Sequence, residues 1–257
     1  MTAAAVVLLA SCGGKKNDHS FVVEGTLANG ADKMLYLEEM VPDNMGQAVF
    51  VDSIACDKNG HFRYEGEMSY QTFFNLYVKS GDFVVLLPNF GETIELTGDY
   101  DKLSTTYMVN GSADSRLMWQ IQNYINTTSV ALTELVQQDE QNRATLKGEA
   151  YDKAHKVTDS IFIAEYELLH ETLYTFITEN SGSLATLYAV DAPFNRNGRV
   201  FYAGKDFAVF EEVLSGLDAA CPDNPHTQYY RLRMDRARSA RALEQQQQQT
   251  EQAIIVE

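Results

Sequence analysis

The hydrophobic period changes once along this chain, near Gly111, from two residues to between three and four, and that change decides what each half can become. From Phe21 to Asn110 apolar and polar residues alternate. Leu35 and Leu37 flank Tyr36, Phe74, Leu76 and Val78 alternate with Asn75 and Tyr77, and Ile94 and Leu96 alternate with Glu95 and Thr97. Alternation places one face of a strand inward and the other outward. Turn chemistry separates the runs at Asn29-Gly30, Asp57-Lys58-Asn59-Gly60, Ser80-Gly81-Asp82 and Asn89-Phe90-Gly91. Seven or eight short strands at that spacing predict an antiparallel sandwich or barrel. Phe83 to Leu87 is apolar on both faces and so predicts a central strand.

Beyond Gly111, Leu117, Ile121, Tyr124, Ile125, Thr128, Leu132, Leu135 and Val136 form one stripe of a helix. A second stripe joins Ala154, Val157 and Ile161 to Leu168, Leu169, Leu173, Phe176 and Ile177, and a shorter one runs from Phe207 to Leu217. Asn224-Pro225 reads as an N-cap followed by proline at the first helical position. The expected class is α+β, with an N-terminal antiparallel β-sandwich over 20–111 followed by a helical unit over 112–244. The glutamine run and the apolar Ile254-Ile255-Val256 make 245–257 an expected linker or truncated end.

With 257 residues, of which 45% are apolar, the chain can bury a sizeable core without disulfide staples. Its formal net charge of -16 repels phosphate backbones and anionic headgroups, so no nucleic-acid partner is expected. Thr2 to Ser11 form an apolar run too short for a bilayer span, which needs ~20 residues. Leu9-Ala10-Ser11-Cys12 resembles a bacterial lipobox, which makes Cys12 the expected acylated residue and 1–19 a lipoprotein signal and tether. No Lys or Arg lies between Met1 and Cys12, as a signal normally requires, so a start further upstream is expected. The implied place is the cell envelope, facing the periplasm, with a lipid anchor in a membrane. Cys56 and Cys221 then either pair or stand as separate small residues; pairing needs Cα atoms within about 7 Å.

Candidate chemistry is sparse. Glu167-x-x-His170 and Asp152-x-x-His155 each offer two metal ligands on one helix, roughly 22 Å apart at 1.5 Å per residue, so they cannot share a metal and read as solvated helix faces. No phosphate-binding, dinucleotide-binding or nucleophile-elbow motif occurs, and no C-x-x-C pair. No catalytic residue, metal or cofactor is expected. Arg231, Arg233, Arg236, Arg238 and Arg241 make 226–241 a +4 segment with Asp235 its one acid. These arginines either pair with acidic neighbours of the same chain or dock an acidic partner surface. Fourteen Tyr and thirteen Phe either fill the β core or line a groove for a glycan or peptide.

Several ordered patches carry a family resemblance: Gly25-x-Leu27, Tyr36-Leu37-Glu38, Val51-Asp52-Ser53-Ile54, Gly60-His61-Phe62, Gly91-Glu92-Thr93-Ile94 and Val109-Asn110-Gly111-Ser112, then Asn180-x-x-Ser183-Leu184-Ala185. From Phe21 to about Arg241 the chain resembles the domain of unknown function 4369, the N-terminal region of Bacteroidota TlpA-like thiol-disulfide oxidoreductase lipoproteins. In that family a thioredoxin-like domain with a W-C-x-x-C motif usually follows, and Cys12, Cys56 and Cys221 match none of it. The resemblance therefore implies a non-catalytic envelope module, with a thioredoxin-like domain as its expected partner. A stand-alone lipoprotein binding a glycan or peptide on an aromatic β face is the alternative, and an envelope assembly protein docking through the arginine helix is a third reading.

Overall fold

A computed structural model describes residues 19–42, 47–195 and 198–256. Eight strands precede the long helices: β1 Ser20–Ala28, β2 Met34–Met40, β3 Ala48–Ala55, β4 His61–Glu67, β5 Phe74–Val78, β6 Phe83–Leu86, β7 Thr93–Asp99 and, after the short helix α1 Leu103–Thr106, β8 Met108–Asn110. They form two four-stranded sheets, ordered β4-β1-β7-β8 and β3-β2-β5-β6. Strand pairing is antiparallel except between β1 and β7, which run parallel with Val23 beside Ile94 and Gly25 beside Leu96. The inward residues of the alternation meet between the sheets as a core that includes Val23, Leu35, Leu37, Phe62, Leu76, Ile94 and Leu96.

Gly111 marks the joint between the halves for a steric reason. Its φ is +78°, and a Cβ there would stand 2.0 Å from the Thr93 carbonyl oxygen. Ser112 then caps α2 (Ala113–Thr145), its Oγ accepting from the Ser115 N–H at 3.2 Å. Helices α3 (Glu149–Glu179), α4 (Ala185–Val190), α5 (Phe207–Ala220) and α6 (Pro225–Val256) follow, with a small hairpin of β9 (Pro193–Asn195) and β10 (Gly198–Arg199) between α4 and α5. Asn224 Oδ1 accepts from the His226 N–H at 2.9 Å, so the Asn-Pro start of α6 is as the sequence indicates. The residues expected to form a linker, from 245, continue α6 to Val256.

The apolar stretch Phe83 to Leu87 is not central. β6 is the edge strand of its sheet. Val84 and Leu86 point into the sandwich, while Val85 and Leu87 join Phe73, Met118 and Ile121 in a second core between the sheet and the helices. A strand covered by a helix layer needs two apolar faces wherever it stands in the sheet. This second core continues through Leu173 and Ile177 of α3, Val213 and Leu217 of α5, and Tyr230 and Met234 of α6.

The stripe on α3 divides in two. Leu169, Leu173, Phe176 and Ile177 are buried, whereas Val157, Ile161 and Leu168 are exposed. α2 buries side chains only as far as Leu132 and α3 only from Leu169, so the ends of both helices that flank their connection hold no fully buried residue. Cys56 is buried in the sandwich, Cys221 is half-buried at the end of α5, and both are free thiols. Among the described residues no helix is long and apolar enough to cross a membrane.

Candidate functional site

The buried end of α6 meets the sandwich at a histidine. His226 is at the second position of the helix and 8% exposed. Its Nε2 lies 2.8 Å from Thr72 Oγ1, just before β5. The Thr72 hydroxyl proton is committed to the Met40 carbonyl at 3.0 Å. A hydroxyl has one proton to give, so His226 Nε2 must donate and Nδ1 is left as the acceptor. Phe73 meets the imidazole edge-on at 5.1 Å between ring centres. Burial pushes the His226 pKa down to about 4, so the ring is neutral at physiological pH.

Beside this ring lies a groove of about 330 Å³ between the sandwich and the helices. Met40, Phe73 and Leu187 form apolar walls, Tyr229 and Tyr230 come from α6, and Asp191, Arg199 and Arg233 give it charge. Arg233 Nη2 donates to Asp191 Oδ1 at 2.7 Å while Nη1 donates to Oδ2, a two-pronged pair. Arg199 Nη1 reaches the same carboxylate at 3.2 Å and donates to the Asp191 backbone oxygen at 2.9 Å. The Arg233 guanidinium also lies over the rings of Tyr230 and Phe210, at 5.5 and 5.8 Å. Among the described residues that line it, two arginines stand against one aspartate, a positive balance within a strongly acidic chain. Apolar walls with one cationic side suit an amphipathic group with an anionic end. Among the described residues that line the groove, the one carboxylate is already held by two guanidinium groups.

The arginine segment is largely occupied within the chain. Arg231 holds Asp218 at 2.6 Å, Arg233 holds Asp191, and Arg238 holds Glu211 and, at 2.9 Å, Asp235. Arg241 lies 4.6 Å over the Phe207 ring, and Arg236 is exposed. Charge complementarity here fastens α6 to α5 and to the end of α4. Cys12 lies outside the described residues. The histidines of the E-x-x-H and D-x-x-H spacings face acids on other elements. His155 Nδ1 sits 2.9 Å from Asp139 of α2, and His170 Nε2 sits 3.2 Å from Asp206 ahead of α5. Among the described residues no group of three His, Cys, Asp or Glu side chains could hold a metal ion.

Residues 21–118 match the family model for a domain of unknown function, DUF4369. The DUF4369 segment runs from β1 to the second turn of α2, so it holds the whole sandwich, Thr72, and the Met40 and Phe73 side of the groove. The resemblance read from sequence extended to about Arg241, whereas the match ends before α3; Asp191, Arg199, His226 and Arg233 lie beyond it. No curated protein matches the chain. Sequence reasoning missed His226, Thr72 and Asp191 as one site. The Asn224-Pro225 cap was the available signal, because it fixes His226 in the first turn of a helix, but nothing local indicates a threonine 154 positions away.

Proposed function

We propose that this chain is the non-catalytic N-terminal module of an envelope thiol-disulfide oxidoreductase-type lipoprotein, held at a membrane through an acyl group on Cys12. The observation that carries the reading is the order of signals at the N-terminus: Leu9-Ala10-Ser11-Cys12 behind an apolar run, a short polar tether, and then the DUF4369 segment from residue 21. A lipid-modified cysteine supplies the anchor, because two or more acyl chains bind a membrane stably where one does not. In this reading dithiol chemistry belongs to a thioredoxin-like partner domain, and this module, whose sequence has no C-x-x-C, tethers and presents. The test is metabolic labelling with an alkynyl fatty acid in a bacterium with an envelope. Label is expected on Cys12 and the chain in the membrane fraction, with both lost in Cys12→Ser, and crosslinking in that fraction is expected to recover a C-x-x-C protein. An unlabelled chain, or a Cys12→Ser chain that still sediments with membranes, overturns the tether.

A second reading is favoured by one row of side chains. Tyr36, Tyr77 and Phe83 are cross-strand neighbours on the outer face of the second sheet. The two tyrosines stack at 5.3 Å with rings 25° apart, and Phe83 and Phe50 are largely exposed. A flat aromatic row facing water suits the apolar face of a sugar ring or a peptide side chain. Titration calorimetry against a glycan and peptide panel is expected to find a saturable ligand whose affinity drops at least about tenfold in Tyr77→Ala. A panel with no saturable ligand removes this reading.

A further inference from the structure

The described residues leave half of the α3 stripe uncovered. Val157 is 60% exposed, Leu168 61% and Ile161 42%. With Ala164 they are spaced four, three and four apart, a helix-pairing seam about 16 Å long at 1.5 Å per residue. At about 100° per residue the seam points roughly 130° away from the face that Leu169 and Leu173 bury. Exposed apolar residues in one line, rather than scattered singly, mark a contact surface.

The charges beside the seam identify what fits it. On one flank Lys153 and Lys156 lie towards the N-terminal end, and Glu167 and Glu171 lie towards the C-terminal end. All four are exposed, and none makes an ion pair among the described residues. A flank that is basic at one end and acidic at the other complements itself when reversed. We infer that α3 pairs antiparallel with α3 of a second copy of this chain, about a two-fold axis between residues 162 and 163.

In that register Val157 of each copy meets Leu168 of the other, and Ile161 meets Ala164. Lys153 comes beside Glu171 and Lys156 beside Glu167, each pair occurring twice by symmetry. A parallel two-fold pairing would set this flank against the opposite flank of the partner helix, so none of these lysine–glutamate pairs would form. There is room for the incoming side chain. A shallow cavity of about 420 Å³ opens beside Leu168 between Tyr124 of α2 and Glu171 and Thr175 of α3.

Sedimentation of the full chain over a concentration series tests this pairing. A reversible dimer is expected. Leu168→Glu should weaken it roughly a hundredfold, because two carboxylates would enter the seam. Lys153→Glu and Glu171→Lys should each weaken it roughly tenfold, and the double variant should restore it. All three positions are exposed in the monomer, and an unchanged melting temperature of that state confirms that the variants fold. Three results overturn the inference: a chain that stays monomeric at about 200 μM, a dimer indifferent to Leu168→Glu, or a double charge reversal that fails to restore association.

Discussion

Gly25→Ala is expected to destabilise the protein by about 3 kcal/mol or more, enough to remove much of the margin of an ordinary domain. β1 is an inner strand, with β4 antiparallel on one side and β7 parallel on the other. Gly25 is opposite Phe62 in one ladder and Leu96 in the other. A Cβ at this position would stand 1.7 Å from the Leu96 carbonyl oxygen and 2.7 Å from its carbonyl carbon. Both atoms are backbone, so no rotamer change relieves the clash, and the parallel ladder itself must move. Gly204→Ala is the control, since nothing lies within 4 Å of its Cβ position, and it is expected to change stability by less than about 0.5 kcal/mol. Urea unfolding followed by fluorescence of Trp119, the one tryptophan, measures both. Trp119 packs on the sandwich core and its Nε1 donates to the Tyr107 carbonyl at 2.9 Å, so its signal reports the half in which Gly25 lies. Equal stability of the two variants would show that β1 and β7 do not approach as described.

The second large effect is a loss of stability on mild acidification that depends on His226. Burial holds this ring neutral down to about pH 4, against an ordinary value of 6.5 in the unfolded chain. Between those values the unfolded state carries a proton that the folded state lacks. Stability therefore falls as pH falls from about 6.5 to about 4, levels off below that, and loses about 3 kcal/mol in all. Other groups act with different signs or in other windows. Hydrogen bonding to Asp139 holds His155 above its ordinary value, which adds stability as pH falls through that raised value. Asp57, Asp99, Asp139 and Glu211 are held low by hydrogen bonds, so their contribution is lost only as pH falls below the ordinary carboxylate range. Urea midpoints of the parent and of His226→Gln, measured from pH 7 to pH 4, separate these terms. The glutamine amide can still donate to Thr72 but does not titrate, so the difference between the two proteins should shrink or reverse towards pH 4. Parallel pH curves would show that His226 is not held neutral by burial.

Much of the architecture is legible from period alone, because alternation and helical spacing report directly which side of a backbone faces apolar neighbours. Gly111 stands out because a change of period, a glycine and a capping serine fall together. β6 shows where this reasoning stops. Two apolar faces mean two covered faces, and the pattern is the same whether the cover is a second sheet or α2. α3 shows a second limit. Val157 and Leu169 look alike in the sequence, yet one faces water and the other the core, because a long helix can run past the body it packs on. The arginines of α6 were legible as a cluster but not as partners of Asp191, Glu211 and Asp218, since the acids lie on helices whose placement depends on the core. His226 and Thr72 meet only once α6 has folded back on the start of β5, and no local pattern encodes that return.

The parallel pairing of β1 with β7 also sets an order in time. Val22 lies beside Thr93 and Ala28 beside Asp99. A chain that emerges N-terminus first, from a ribosome or through a membrane pore, presents β1 long before its parallel neighbour exists. β4 can pair with β1 earlier, from the other side, while the β7 side stays an open edge until residue 99 has appeared. Closing so long a span is entropically costly and slow. During that interval the edge beside Gly25, with no side chain of its own to obstruct it, is the surface most exposed to mispairing with another chain.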